Sequence, residues 1–443
     1  MALSENVKIT IMGANGLPKT LMFGKDDLYR TTADLNWNSF CSKITIKQKR
    51  YGEAAIANVS FSLISSYGRI GGEQNSVLKN VIELGDRVDI TIQGKLDLSA
   101  YFGINMTEMK TVVKPTKIFS GYVWNIKTNH LGEVEITCYD LLKYLQNQKC
   151  FFSYKKTDTA ASIINAAVKN LNLGKGEKDI KLMIDTPLFS QYKVDTTGTQ
   201  ETFFVYDKNF IDLTNWLLNR CLMAGLSVGK GYSTYMLFLV DYDTNMINIG
   251  TAEFLGKISA YTVSEKSLIT SCELTESIES DVFNSIYAGI DYLSSDEIGG
   301  RWWGLATENN SVKQLGSLCH YERFSQSDFY QHNTNLTIDT VKKVIEKMVL
   351  IKSKPKVKLT IKAIGNPFLR AGMLVPVKLP DSLVKGLIVS FDATKITAKT
   401  TPIVLIDEIT HTISGNMFEM EFTSSVLLEN FSNWTATTVT EQK

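Results

Sequence analysis

Apolar and polar residues alternate along Val7-Lys8-Ile9-Thr10-Ile11, Lys43-Ile44-Thr45-Ile46-Lys47 and Asn58-Val59-Ser60-Phe61-Ser62-Leu63. That period marks a strand with one face in a core and the other in water. Three further runs, Gly85 to Ile92, Phe119 to Lys127 and Glu133 to Cys138, continue the pattern, the last two separated by Thr128-Asn129-His130-Leu131-Gly132. A similar arrangement recurs near the other end of the chain. Gly372 to Leu379 is followed by Ile403 to Ile413 and, across Ser414-Gly415-Asn416, by Met417-Phe418-Glu419-Met420-Glu421-Phe422. Gly and Asn between alternating runs predict hairpins. Both stretches therefore predict one antiparallel meander used twice, although hairpins are common enough that two unrelated ones would share the pattern. A duplicated sheet suits a ring or tube, because closing or laterally pairing it removes its exposed edges.

Between these ends the period changes. Thr157 to Val168 places a capping residue ahead of an apolar face of helical spacing, and a second helix is predicted from about Ile211 to Met223 with Leu213, Trp216, Leu217 and Cys221 on one side. Tyr139 to Gln146 predicts a short closing helix, and Ser233 to Val240 and Met246 to Gly250 predict strands. Strand character returns at Leu268 to Leu274 and Val282 to Ile290, and a last helix is predicted near residues 338–351. The fold class is α+β and β-dominated. The expected division is a β domain over residues 1–150, an α+β insert over 151–262, a second β domain from 263–291 and 354–430, an insert over 292–353, and a flexible tail over 431–443.

A chain of 443 residues is too long for a single core. Its 47 basic and 46 acidic residues leave a formal charge of +1, so no global field draws it to nucleic acid or an anionic membrane, and partners must be recognised by shape. No apolar run approaches the length that spans a bilayer and no leader pattern opens the chain, so a soluble protein made in the cytoplasm, without a membrane anchor, is expected. The 6 cysteines are scattered without a Cys-x-x-Cys pair, which predicts buried reduced thiols. The 4 histidines, His130, His320, His332 and His411, are isolated in the sequence, and without convergent carboxylates none is assigned a metal or general-base role.

Several catalytic patterns fail on context. Gly225-Leu226-Ser227-Val228-Gly229 matches a nucleophile elbow in letters, but the predicted helix precedes the Ser and the strand follows, the reverse of what that elbow requires. Gly229-Lys230-Gly231 lacks the upstream glycine and the hydroxyl residue of a phosphate loop. Asp241-Tyr242-Asp243-Thr244-Asn245 opens like a calcium loop, yet its sixth position is Met246 and its twelfth Ala252, which predicts a turn between strands. Glu273, Glu276, Glu279 and Asp281 predict a solvated face rather than an acid-base pair. No catalytic, cofactor-binding or metal-ligating residue is assigned, and no cofactor is implied.

Contact with partners has one candidate segment. Gly299-Gly300-Arg301-Trp302-Trp303-Gly304 sets adjacent tryptophans beside an arginine, and on a strand neighbouring side chains point to opposite faces, so Arg301, Trp302 and Trp303 are the candidate interface residues. Burial within the same chain remains the alternative. Lys352, Lys354, Lys356 and Lys358 alternate into a positive stripe without the interleaved aromatics that stack bases, the pattern of a wet face.

In its order of motifs the chain resembles the baseplate hub proteins of contractile phage tails and R-type bacteriocins, of the XkdQ-like and late-control D-like kind. The resemblance is carried by Glu83-Leu84-Gly85-Asp86-Arg87-Val88, Phe119-Ser120-Gly121-Tyr122-Val123, Glu276-Ser277-Ile278-Glu279 leading to Asn284, Ser311 to Gly316, Ala371-Gly372-Met373 and Ile409-Thr410-His411-Thr412-Ile413. Such a hub implies two tail-tube-like antiparallel β-barrels per chain with α/β inserts. It implies a homotrimeric ring of pseudo-sixfold symmetry joining a sixfold tail tube to a threefold central spike and lining the channel. Partners would be the tube or distal tube protein, the spike and the baseplate wedges, with the tape measure protein a further candidate. The place would be the baseplate of a virion or bacteriocin particle assembled in the bacterial cytoplasm, nucleic acid at most passing through. Some such hubs carry a β-helix spike or a peptidoglycan-cleaving domain, and this sequence shows neither. A tail-associated cell-wall-degrading enzyme and a host-surface binding protein of a non-contractile tail stay open as alternatives.

Overall fold

The computed structural model describes residues 7–19, 41–50, 52–61, 82–94, 113–129, 133–155, 157–171, 181–184, 202–205, 208–223, 236–251, 263, 269–278, 282–292, 300–325, 345–346, 348–349, 352–353, 355–378, 403–415, 417–425 and 427–428. The nucleophile-elbow look-alike at Gly225 to Gly229, Gly229-Lys230-Gly231, His130, His332, Glu279, Asp281 and the tail over 431–443 lie outside the described residues.

Alternation in the first part of the chain becomes strands β1 (Val7–Met12), β2 (Cys41–Lys49), β3 (Ile56–Phe61), β4 (Arg87–Gly94), β5 (Val113–Thr128) and β6 (Val134–Tyr139). After α1 (Leu142–Asn147) come β7 (Phe152–Lys155), α2 (Ala160–Leu171), β8 (Lys181–Ile184), β9 (Thr202–Val205), α3 (Phe210–Met223), β10 (Met236–Asp241) and β11 (Met246–Thr251). The rest of the chain gives β12 (Ser271–Ser277), β13 (Ser285–Tyr292), β14 (Gly300–Thr307), α4 (Asn309–Leu315) and β15 (Cys319–Ser325). It ends with β16 (Lys356–Ile364), β17 (Leu374–Pro376), β18 (Ile403–Leu405), β19 (Glu408–Ser414), β20 (Met417–Ser424) and β21 (Leu427–Leu428).

One antiparallel sheet of 10 strands dominates, in the order β1-β4-β5-β6-β3-β2-β19-β20-β16-β12. Its order shows the duplication directly. The run β5-β6-β3-β2 is followed by β19-β20-β16-β12, and taken in chain order, β2, β3, β5, β6 and β12, β16, β19, β20, the strands of the two runs hold the same relative places. The turn before each run is also repeated in detail. The Gly85 amide donates to the Val123 carbonyl at 2.8 Å and the Val123 amide to the Asp86 carbonyl at 2.8 Å. In the second unit the Gly372 amide donates to Ile406 at 2.8 Å and the Ile406 amide to Met373 at 2.9 Å. Gly85 and Gly372 hold φ of 87° and 84°, a left-handed conformation that a side chain would strain, which is why glycine stands at both.

The inner-facing positions fill separate cores. Val7, Ile9, Ile11, Ile44, Ile46, Val88, Ile90 and Phe119 pack in the first, and Leu359, Ile361, Val404, Ile406, Ile409 and Phe422 in the second. A third core joins the apolar face of α2 (Ile163, Ile164, Ala167) to Phe210, Leu213 and Leu217 of α3 and Ile247 and Ile249 of β11. Alternation alone groups Val282 to Ile290 with the second meander. The structure instead places β13 at the centre of a separate three-stranded sheet, β14-β13-β15, where β14 is antiparallel and β15 parallel to it. Period 2 reports that a segment is a strand; it carries no information on which edge the strand joins.

The two repeats meet where β2 pairs with β19, from Lys43 opposite Ser414 to Lys49 opposite Glu408. A buried ion pair seals the end of this seam. The Arg50 guanidinium, 2% exposed, donates through Nε to Asp407 Oδ1 at 2.5 Å, and the Arg50 amide donates to the Asp407 carbonyl at 3.1 Å. The other carboxylate oxygen of Asp407 accepts from the amide and hydroxyl of Ser425. Removing one partner of a buried pair strands the other charge in a low-dielectric interior. Arg50→Met is therefore expected to lower the unfolding free energy by about 3 kcal/mol or more in urea titrations, whereas Lys47→Met at the exposed Lys47–Glu408 pair of the same seam costs less than about 1 kcal/mol.

Candidate interaction surfaces

Between the repeats and the insert lies a polar junction built on Tyr242. This residue sits in the turn between β10 and β11, yet its ring packs in the first core, 5.9 Å from the Phe119 ring. Gln48 of β2 reaches both the Tyr242 hydroxyl, at 3.4 Å, and the Ile118 carbonyl, at 3.2 Å. From the second repeat, the Arg370 guanidinium lies 5.2 Å over the Tyr242 ring and donates to the Lys117 carbonyl at 2.6 Å. Lys117 in turn donates to the Tyr242 carbonyl at 3.3 Å and pairs with Asp89 at 3.1 Å. Burial and the nearby Asp140 push the Tyr242 hydroxyl far above its ordinary range. The predicted calcium-loop look-alike is thus a turn, with Asn245 in the left-handed region at φ 53°, and its tyrosine clamps three parts of the chain together.

Two buried titratable groups flank this region. His411, on the seam strand β19, is 1% exposed, takes part in a hydrogen bond between its Nε2 and the Leu369 carbonyl at 3.1 Å, and has no partner for Nδ1 among the described residues. Burial, with the Arg370 charge adding to it, holds its pKa down at about 4. Asp140, 2% exposed, accepts from the Leu142 amide at 3.1 Å, and burial pushes its carboxyl up to about 7.

The candidate interface segment lies on β14. Trp303 is exposed (56%) and lies over Gly289, where an added Cβ would come within 2.7 Å of its ring. Its ring centre is 5.7 Å from that of Tyr321. In the strand register Leu305 and Tyr321 both sit opposite Tyr287, so Trp303, Leu305, Tyr287 and Tyr321 share one exposed apolar face of the small sheet. Arg301 and Trp302 are placed by the register against Asp291 and Ile290. Adjacent tryptophans beside an arginine pointed to β14; Tyr287 and Tyr321 joined them only through pairing across strands. Cys319 belongs to the same face and is exposed, contrary to the expectation that all cysteines are buried. Cys41, Cys138 and Cys150 are buried, which raises their thiol pKa values, Cys41 to about 12 and Cys150 to about 11.

Among the described residues no group of His, Cys, Asp and Glu is arranged to hold a metal ion, and no helix is long and apolar enough to cross a membrane. Glu273 and Glu276 face solvent on β12, and Lys358 and Lys362 do so on β16, Lys362 pairing with Glu421 at 3.0 Å. His320 contacts Glu322 at 2.9 Å and stacks on Phe283.

A family model described as YQBQ-like matches residues 45–215 and 233–424. No curated protein matches the chain in sequence. The 43 kDa tail protein of prophage MuSo2 from Shewanella oneidensis superposes with a TM-score of 0.50 at 10% identity, covering 94% of this chain and 98% of that one. A tail protein from Neisseria meningitidis MC58 does so with a TM-score of 0.51 at 9% identity, covering 95% and 97%. At such identity the likeness establishes the fold, and it is a fold found in tail proteins, the class to which the sequence motifs point.

The two buried groups titrate with opposite sign. His411 is neutral in the fold and takes a proton in the unfolded chain below pH 6.5, so its contribution is complete above that pH and is lost as pH falls toward about 4. Asp140 keeps its proton in the fold up to about 7 while the unfolded chain releases it near 3.8, so stability falls as pH rises through that window. Relative to wild type, His411→Gln is expected to gain about 3 kcal/mol on going from pH 6.5 to 4, and Asp140→Asn to gain about 4 kcal/mol on going from pH 4 to 7. Urea unfolding at the two ends of each window measures both.

Proposed function

Because the chain belongs to the YQBQ-like family, we propose that it is the structural hub of a contractile tail's baseplate, a homotrimeric ring of pseudo-sixfold symmetry that joins the sixfold tube to the threefold spike and lines the channel. The observation that carries this reading is the duplication: β5-β6-β3-β2 and β19-β20-β16-β12 stand side by side in one sheet. A chain holding two equivalent units can present six units in a threefold assembly, and so can match a sixfold partner on one side and a threefold partner on the other. The role is mechanical, met by shape and by register rather than by chemistry. Baseplate wedge proteins would join the ring, with the tape measure protein a further candidate, and nucleic acid would at most pass through.

Light scattering on the purified chain tests the ring. The expected mass is about 150 kDa, three times the chain mass of 49.6 kDa, with a central hole in negative stain; a compact monomer that remains monomeric at high concentration counts against it.

The aromatic face on β13, β14 and β15 supports a second reading, a host-surface binding protein of a non-contractile tail. Exposed aromatic patches of this kind mark contacts with partners. The two readings separate on Trp303→Ala combined with Tyr321→Ala. In the hub reading assembled particles are lost, because the face is covered by a neighbouring tail protein. In the binding reading particles assemble and cell adsorption is lost.

A further inference from the structure

The small sheet β14-β13-β15 turns one face inward and leaves the other uncovered among the described residues. Ile286 and Ala288 of β13 are 0% exposed, whereas Tyr287, Trp303, Leu305 and Tyr321 on the opposite face are 49–56% exposed. Three large rings and a leucine side by side are more apolar surface than the wet face of a strand carries, and such patches mark binding sites.

The way the rings lie decides what they take. Gly289 stands opposite Trp303 in the register. A Cβ added to Gly289 would come within 2.7, 2.9 and 3.0 Å of three consecutive atoms of the six-membered ring of the indole. An edge-on ring would set the two flanking atoms much farther off than the nearest one. Near-equal distances mean that the indole turns its face to Gly289 and lies flat on the sheet, with its other face open to solvent. Tyr321, its ring centre 5.7 Å from that of Trp303 and its plane tilted by 32°, does not cover it, since both residues stay more than half exposed. Together they make a shallow aromatic floor.

A floor selects its ligand. A protein partner gains most from a tryptophan that enters a tightly packed pocket, which a ring laid flat does not do. Nucleobases stack on such planes, but sites for single strands combine the aromatics with a positively charged groove. Here Lys358 and Lys362 stand on β16 of the large sheet, and the formal charge of the whole chain is +1. A neutral ring with apolar faces and a polar rim matches the floor. A pyranose with equatorial hydroxyls is such a ring, because axial C–H bonds cover both of its faces and the hydroxyls point outward from its edge. Exposed polar side chains flank the aromatics: Arg323 is level with Trp303 across Gly289, and Thr307 is level with Cys319 across Ser285.

We infer that this face is a saccharide-stacking platform for a chain of β-linked, equatorially substituted pyranoses, one sugar on Trp303 and the next on Tyr321, with Arg323 donating to sugar hydroxyls. Stacking supplies the affinity and the polar rim fixes the orientation. Successive sugars in an extended chain of this type follow one another at a spacing comparable to the 5.7 Å between the two aromatic centres. This inference rests on the host-surface reading above and names the chemistry of the receptor, a glycan of the cell surface.

Calorimetric titration of the full chain with cellotetraose and with the N-acetylglucosamine tetramer of chitin tests it, with α-linked maltotetraose as the comparison. At least one β-linked tetramer is expected to saturate with a Kd below about 1 mM, and maltotetraose to bind at least about tenfold more weakly. Trp303→Ala is expected to weaken binding about tenfold or more, and Trp303→Phe to keep part of the affinity. Gly289→Ala, which pushes the indole off its seat without removing it, is expected to weaken binding as well. No saturation by either β-linked tetramer at about 10 mM, or an affinity unchanged in both Trp303→Ala and Gly289→Ala, overturns the platform. Particles carrying Trp303→Ala with Tyr321→Ala keep the two levels of the argument apart. If no tetramer binds and these particles assemble but do not adsorb, the face meets a receptor of another chemistry: the saccharide inference falls and the host-surface reading stands. If no tetramer binds and no particles assemble, both fall.

Discussion

The pairing of β2 with β19 is the contact on which the rest of the molecule depends. It brings together segments some 360 residues apart, with Arg50 and Asp407 separated by 357 positions, and without it the two repeats would be separate sheets tethered by the insert. Loop-closure entropy grows only logarithmically, by about 0.6 kcal/mol for each doubling of length, so the long intervening chain costs little at equilibrium. Its cost is kinetic, because contacts so distant in sequence form late and leave strand edges open in the meantime. The buried Arg50–Asp407 pair fits that situation. A desolvated ion pair adds little net stability but penalises every register other than its own, since a slip by one residue would bury an unmatched charge.

The junction at Tyr242 binds the insert to this seam. Gln48 belongs to the seam strand β2, Arg370 to the turn that opens the second repeat, and Tyr242 to the insert, and each touches at least one of the others. The insert therefore does not hang from a hinge. Its β10–β11 turn is a stopper in the first core, and Arg370 presses on it from the second repeat. A displacement of the insert would expose the Tyr242 ring and leave Gln48 without one of its two partners, so the three parts share one conformation.

The sequence made the strands and the repeat legible, for a plain reason: a half-buried strand must alternate, and a turn with positive φ selects glycine, so Gly85 and Gly372 could be matched before any coordinates. Helices α2 and α3 were legible through their apolar spacing. What alternation cannot encode is pairing. Val282 to Ile290 reads as a strand in either sheet, and its partners β14 and β15 are chosen by packing that no local period reports. The same limit hid Tyr287 and Tyr321, single aromatics on separate strands that form a patch with Trp303 only once the register is set. It also hid Arg50 and Tyr242, whose polar ends are buried for reasons that lie hundreds of residues away.

A fold specified this way tolerates wide change in sequence. Alternation accepts any apolar residue of suitable size on the inner face and any polar one outside, and among the described residues positions such as the two left-handed glycines and Gly121, where an added Cβ would run into the Tyr139 carbonyl oxygen, are sterically closed. Structural likeness to the tail proteins at 9–10% identity is the expected consequence. The edges are constrained differently. A strand at the end of a sheet carries unmet backbone donors and acceptors and will pair indiscriminately unless its side chains restrict the partner. On β12 the exposed Glu273 sets such a restriction, since two copies of that edge laid side by side would bring like charges together.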